Sequence, residues 1–340
     1  MGKIFPQIKT LKEKPELFPA TLKLIETSFK YQSPDSFKVD FAPLIDPSNH
    51  HNCFILIDEN ENVLAHIGAR ERTLTINEKK HPIILLGGIA VDEKRRGEGL
   101  FQTLFNDVLA TMRSDAAFFL LWSDLEELYN KFGFYLCGSQ YEFTGGLENP
   151  LLEKTTYEAL TDSEKIQIKS LYQTSFAKEY LTVDRTDEDW SLIEKVTSSD
   201  LHINRTGQGI GDYYFINKGQ DLPGIIYEYG STIPLNQFIE EIGTHGKVWM
   251  GKELLPTEQQ QYQFFLGTGD LKLFTDFIRD FTQDKIQIQN INLMKQEVFF
   301  NYNDELHALE VQDFLRGILG PGTFEELELP TLFISGLDSI

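Results

Sequence analysis

The chain has 340 residues, enough for about two domains at roughly 150 residues each. Its 26 Phe, 13 Tyr and 3 Trp, within a 41% hydrophobic composition, exclude a disordered or low-complexity protein because they give a folded chain ample apolar area to bury. A formal charge of −21, from 31 Lys and Arg against 52 Asp and Glu, excludes sequence-independent binding to a phosphate backbone and favours cationic partners.

In chain order, Pro15 to Lys30 has the apolar spacing of an amphipathic helix with proline at its start. Cys53–Asp58 and Val63–Arg70 read as strands around the turn Glu59–Asn62, and Thr73–Ile76 and Ile83–Val91 as two more. The basic, Gly-bearing turn Lys94–Gly99 precedes a helix from Leu100 to Arg113. Ala116–Ser123 has the near-continuous apolar run of a buried strand, Glu126–Phe132 is a short helix, and Gly133-Phe134 opens another strand. From 151 a similar alternation begins. A helix is expected at Ser163–Phe176, strands at Leu201–Asn204, Tyr213–Asn217 and Gly224–Tyr229, a helix at Pro234–Ile242 and a strand at Lys247–Met250. Gly207-Gln208-Gly209-Ile210-Gly211 imitates a dinucleotide loop, but a strand follows it, so a hairpin turn is expected. The last segment offers helices at Phe274–Phe281 and Leu306–Leu315, with strands at Ile286–Ile291, Glu297–Phe300 and Thr331–Ser335. The order suggests a degenerate internal repeat, with units at 1–150 and 151–340.

The charge is uneven. Residues 1–150 hold 16 basic and 21 acidic side chains, residues 151–340 hold 15 and 31. The first half is therefore the expected home of an anionic cofactor. Cys53 and Cys137 are too few for a disulfide scaffold or a Cys-rich zinc site, and both sit in apolar runs. His50, His51 and His66 lack spaced partner ligands, so no metal is expected. The N-terminus has no apolar stretch of signal-peptide length, and no run approaches the ~20 apolar residues of a membrane span. A cytoplasmic protein without membrane contact is expected, and the oligomeric state is left open.

The chemistry concentrates between Leu86 and Phe134. A strand runs into Asp92-Glu93-Lys94-Arg95-Arg96-Gly97-Glu98-Gly99-Leu100-Phe101 and then a helix, a layout in which main-chain N–H groups and the helix dipole favour an anion. Glycines allow a phosphate to approach the backbone, and the arginines add charge. Downstream comes Leu128-Tyr129-Asn130-Lys131-Phe132-Gly133-Phe134. With these two blocks in this order the sequence resembles the GNAT superfamily of acetyl-CoA-dependent N-acyltransferases. Arg96-Gly97-Glu98-Gly99-Leu100-Phe101 is similar to the family's pyrophosphate loop, with bulky Phe101 where a small residue is usual. Such residues are known in the Eis-like branch, whose members carry a second, degenerate unit. The resemblance is strong over residues 50–140 and thin beyond 150.

The resemblance implies a GNAT fold in the α/β (α+β) class, a mixed, mostly antiparallel sheet flanked by helices, in two tandem units. It implies acetyl-CoA as co-substrate and a primary amine as acceptor, and the acidic second half suits the amine of a cationic small molecule or of a lysine side chain. Main-chain amides from Gly97 to Gln102, including Glu98, Gly99, Leu100 and Phe101, would hold the pyrophosphate beside Arg96. Ile89, Ala90 and Val91 would bond the pantetheine arm and polarise the thioester, and Ser123 and Asp124 would lie where two strands splay. Tyr129 would be the general acid. The base is a carboxylate near the cleft (Asp124, Glu126 or Glu127), a water, or the terminal carboxylate of Ile340, as the C-terminal carboxylate enters the first unit's active site in the Eis-like branch. The apolar approach Leu332-Phe333-Ile334 suits the latter. The second unit would be non-catalytic and form one wall of the substrate cleft. Two alternatives remain: an acyl-CoA-binding regulatory protein without turnover, and an acyltransferase using a larger donor, an aminoacyl-tRNA or a long-chain acyl-CoA, with the acidic surface arguing against the tRNA.

Overall fold

The computed structural model describes residues 6–145, 152–207, 209–255, 259–322, 324 and 327–340. The first half runs β1 (Gln7–Thr10), α1 (Phe18–Ser28), α2 (Phe37–Asp40), α3 (Ala42–Ile45), β2 (Cys53–Ile57), β3 (Val63–Ile76) and β4 (Lys79–Val91). It continues with α4 (Leu100–Met112), β5 (Phe118–Leu121), α5 (Glu126–Asn130) and β6 (Phe134–Phe143). The second half has β7 (Glu153–Thr155), α6 (Asp162–Leu171), α7 (Ala177–Glu179), α8 (Asp187–Ile193), β8 (Asp200–Thr206) and β9 (Gly209–Ile216). Then come β10 (Ile225–Ser231), α9 (Leu235–Ile242), β11 (Lys247–Met250) and β12 (Gln259–Thr268). The last segment is α10 (Leu271–Phe281), a meander of β13 (Ile286–Asn292), β14 (Glu297–Tyr302) and β15 (Glu305–Glu310), and α11 (Val311–Leu319).

The pairing signs reveal the repeat. In the first half β1·β2, β2·β3 and β3·β4 are antiparallel and β4·β5 is parallel. In the second, β7·β8, β8·β9 and β9·β10 are antiparallel and β10·β11 is parallel. Each parallel pair is bridged by a helix, α4 or α9, as a parallel crossover requires. The closing strand of each half then crosses over. β12 lies beside β5, β6 lies beside β11, and β12 and β6 pair with each other. One twelve-stranded sheet results, in the order β1-β2-β3-β4-β5-β12-β6-β11-β10-β9-β8-β7.

On one face of the first half, α4 buries Leu104, Phe105, Val108 and Met112 against Leu56, Ile67, Ile84 and Phe119. On the other, α10 and α11 cover the strands with Phe274, Phe277, Ile278, Phe314 and Leu315. Phe277 meets Phe118 edge-on at 4.7 Å. Asp270 caps α10 by accepting from the amides of Lys272 and Leu273, which fixes where that apolar stripe begins.

Several elements differ from the sequence reading. Thr73–Ile76 is not a separate strand, because β3 runs unbroken to Asn77-Glu78, a two-residue turn with φ of 48° and 67°. Leu306–Leu315 is not one helix. Asn303 and Asp304, both at positive φ, turn the chain into β15, and the helix starts only at Val311. Thr331–Ser335 makes a single parallel bridge, Leu181 to Leu332, rather than a strand. β12 is an addition to the sequence reading, its Gln-rich start concealing a strand whose Phe264–Leu266 core is wholly buried.

Candidate active site

The pairing of β4 with β5 ends at Leu85–Leu120, and the strands then part. Beyond that point Leu86–Val91 lines a cleft of about 1250 Å³ whose opposite edge is Trp122–Asp124. A β-bulge sits at the mouth of this V. His66 faces Ala90 and Gly68 faces Gly87, so β4 carries one extra residue between them. Gly88 takes a φ of 58° there, and its carbonyl meets Nδ1 of His66 at 2.7 Å. His66 is wholly buried, and desolvation depresses its pKa to about 4, so the ring is neutral with Nδ1–H donating. In the sequence His66 stands out only as a candidate metal ligand. Its place opposite the Gly87-Gly88 pair is the signal that points to its role.

At the foot of β4 the chain turns through Glu93–Gly99 into α4. Gly97 and Gly99 sit at φ of 84° and 79°, which side chains with a Cβ rarely adopt, and the space beside both is open. Gly99 is the N-cap, and no side chain caps the helix. The first helical bond is Thr103 N–H to the Gly99 carbonyl, so the amides of Leu100, Phe101 and Gln102 have no carbonyl within the helix. Arg95 and Arg96 both line the cleft, and Arg95 is held by Glu98 at 2.7 and 2.8 Å. A free N-terminus of a thirteen-residue helix beside an arginine fits a pyrophosphate.

Nearly all the residues singled out in the sequence line this one cleft: Ile89, Ala90, Val91, Arg96, Gly97, Gly99, Leu100, Phe101, Gln102, Ser123, Asp124, Tyr129 and Ile340. Glu98 and the base candidates Glu126 and Glu127 do not. The Glu98 side chain faces Arg95, and its amide reaches the Arg95 carbonyl at 3.4 Å. The bulk of Phe101 is accommodated by an aromatic cluster, edge-on to Tyr129 at 6.0 Å and to Phe132 at 5.3 Å. Tyr129 is buried, with Ser123 within hydrogen-bonding reach. Desolvation outweighs that contact and raises the phenol to about 12. It is therefore a protonated acid at neutral pH.

The second half forms the far wall with Gln220, Asp221, Leu222, Tyr227 and Trp249. Its own strands also diverge. β10 and β11 pair only at Ile225–Lys247 and Ile226–Val248, and β10 is bulged at Tyr227. No glycine turn follows. The tail of the chain lies in that second V instead. Gly251, just past β11, packs on Phe333, and Gly336 packs on Tyr227, so that a Cβ at either would lie 2.7 or 2.6 Å from its neighbour.

Buried hydrogen bonds hold the tail along its length. Ile334 exchanges two of them with the Gln263 amide at 3.0 and 3.3 Å, and Ser335 donates to Glu228. Asp338 accepts from Arg185 at 2.7 Å and from Arg72 at 3.2 Å, and Arg185 also pairs with Glu228. A chain so held delivers Ile340 to the first V, where its main-chain carbonyl carbon and oxygen abut Gly87 so closely that no Cβ would fit. Cys53 and Cys137 are buried free thiols. Among the described residues no helix is long and apolar enough to cross a membrane, and no cluster of three or more His, Cys, Asp or Glu is arranged to hold a metal.

Residues 7–137 match the profile of the acetyltransferase (GNAT) domain. No curated protein matches the sequence. Among solved structures, Eis1 from Mycobacterium abscessus superposes with a TM-score of 0.58 at 10% identity, over 95% of this chain and 92% of that one. A GCN5-related N-acetyltransferase from Anabaena variabilis gives 0.56 at 13% identity, over 89% and 85%. The N-myristoyltransferase of Saccharomyces cerevisiae, with bound myristoyl-CoA, gives 0.53 at 12% identity, over 79% and 80%. At such identities these likenesses show the fold. The profile match makes residues 7–137 similar to the GNAT acetyltransferase domain, and the superpositions show that the chain as a whole shares the fold of these structures.

Proposed function

We propose that the protein transfers an acetyl group from acetyl-CoA to a primary amine by direct attack within a ternary complex. One observation carries the reading: an open helix N-terminus, a protonated tyrosine and the end of the chain, far apart in sequence, line a single cleft. Bound acetyl-CoA supplies the thioester. The amides of Leu100–Gln102 and Arg96 hold its pyrophosphate, and main-chain groups of Ile89, Ala90 and Val91 align the pantetheine arm and polarise the carbonyl. In a chain ending at Ile340 the terminal carboxylate accepts the proton of the attacking amine. As the nitrogen–carbon bond forms and the carbon–sulfur bond breaks, Tyr129 gives its proton to the departing sulfur and regains one from solvent. The cleft wall from the second half brings Asp221 with the rings of Tyr227 and Trp249, which suits a cationic amine with an apolar body.

The test is a thiol-release assay over a panel of primary amines, with acetyl-CoA affinity measured by calorimetry. Tyr129→Phe is expected to lower kcat by about 10²-fold with acetyl-CoA affinity kept, and deletion of Ser339 and Ile340 to abolish turnover. An unchanged rate in either variant would remove that residue from the mechanism. Binding of acetyl-CoA with no amine-dependent thiol release would favour the regulatory alternative.

A further inference from the structure

The hairpin turn between β3 and β4 has a counterpart in the second repeat, between β9 and β10. In the first repeat the strands are joined by Asn77 and Glu78 alone, whereas in the second the connection spans residues 217–224. The longer loop reaches into the first half. The Gln220 amide donates to Asp40 at 3.2 Å, the Gln220 side chain donates to the Phe29 carbonyl at 2.9 Å, and Gly219 lies against the Asp40 carboxylate. Lys218 is the loop's most buried member, at 1% exposure. Its ammonium donates to the carbonyls of Gly336 at 2.8 Å and Ser339 at 2.9 Å, and it sits 4.0 Å above the Phe41 ring. The hydroxyl of Ser339 and the carboxylate of Asp221 lie farther off, at 3.4 and 3.5 Å.

A buried ammonium is costly unless its protons are matched, so a lysine in this position constrains the groups around it. Those groups are the last turn of the chain, and Ser339 is joined directly to Ile340. The geometry points to Lys218 as a positioning residue for the acetyl-transfer site: it fixes residues 336–339 and thereby sets Ile340 against Gly87. This assignment rests on the proposal that the Ile340 carboxylate is the base. It gives the second repeat a part in the first repeat's chemistry. Loss of Lys218 would take the ammonium donor from the Ser339 carbonyl, leave the Gly336 carbonyl with the Ser339 hydroxyl at 3.0 Å, and free the last residues to swing out of the cleft.

The experiment compares the full-length protein with Lys218→Met, which keeps the stem and removes the charge. Readouts are kcat, KM for acetyl-CoA, thermal midpoint and release of Ile340 by carboxypeptidase, followed by mass spectrometry. The expected result is a fall in kcat of about 10²-fold, the scale of a small misplacement, with KM for acetyl-CoA within twofold of the parent and much faster release of Ile340. Should Lys218→Met not fold, Lys218→Gln, which retains two uncharged N–H donors, is expected to give an intermediate kcat and intermediate release. A kcat within twofold of the parent, or Ile340 equally protected in the folded variant, overturns the assignment. The carboxypeptidase arm needs no turnover. If the parent protein releases no thiol with any amine, the acetyl-transfer reading fails while the clamp on the chain end is still decided.

Discussion

His66 shows how much a single buried ring contributes at this site. Its neutral imidazole ties Nδ1–H to the Gly88 carbonyl and holds the β4 bulge at the mouth of the cleft. The folded pKa of about 4 lies below the usual 6.5, so the folded state binds fewer protons than the unfolded chain between those values. The associated stability is therefore present above pH 6.5 and lost as pH falls towards 4, on the order of 3 kcal/mol in all. Urea unfolding at pH 7 and pH 4.5 should show His66→Gln losing less stability on acidification than the parent. Equal losses would mean that the ring is not buried and neutral. The glycines and Tyr129 are legible as residues because their chemistry is local. His66 is not, since its role depends on a strand pairing that brings it opposite the bulge from about twenty residues away in the chain.

At the scale of elements, α4 is the part most plainly written in the sequence. Arg96-Gly97-Glu98-Gly99 before an amphipathic run implies an open helix start, and the φ of 79° at Gly99 accounts for the glycine. Gly99→Val should strain the N-cap by about 1–2 kcal/mol and raise the calorimetric Kd for coenzyme A at least tenfold. Affinity left intact would show that the anion is held elsewhere. Other elements are hidden by context. The alternation in Glu305–Glu310 is too short to outweigh a helical reading, and only pairing with β14 makes it a strand. β12 begins Gln259-Gln260-Gln261, which has the look of a linker, and only the two strands flanking it, β5 and β6, bury its Phe264–Leu266 core. The tail Leu332–Ser335 looks strand-like because it is apolar, yet main-chain bonds to Leu181 and side-chain partners such as Gln263 hold it in place of a ladder.

For the whole molecule, the exchange of closing strands sets the terms of folding. β5 pairs with β12 along Phe118–Leu121, so the first half of the chain lacks a central strand until residues 259–268 arrive. A fragment ending at residue 145 should therefore give neither a cooperative thermal transition nor coenzyme A binding. The full chain should melt in one transition by circular dichroism and by intrinsic fluorescence alike. Two separated transitions would contradict the interlock. Element order along the sequence is enough to suggest the repeat. It cannot suggest the exchange, because nothing local marks which neighbour a strand will take.

The same interlock bears on how substrates travel. Many two-lobed enzymes admit ligands by swinging one lobe away from the other. Here that motion would shear the ladders β5·β12, β12·β6 and β6·β11 together. Entry and exit must then run through the existing mouth of the cleft, where Phe29 and Leu125 stand 45% and 52% exposed. Turnover would be gated by the rotation of a few side chains rather than by the opening of the molecule, and solvent viscosity should slow it only weakly.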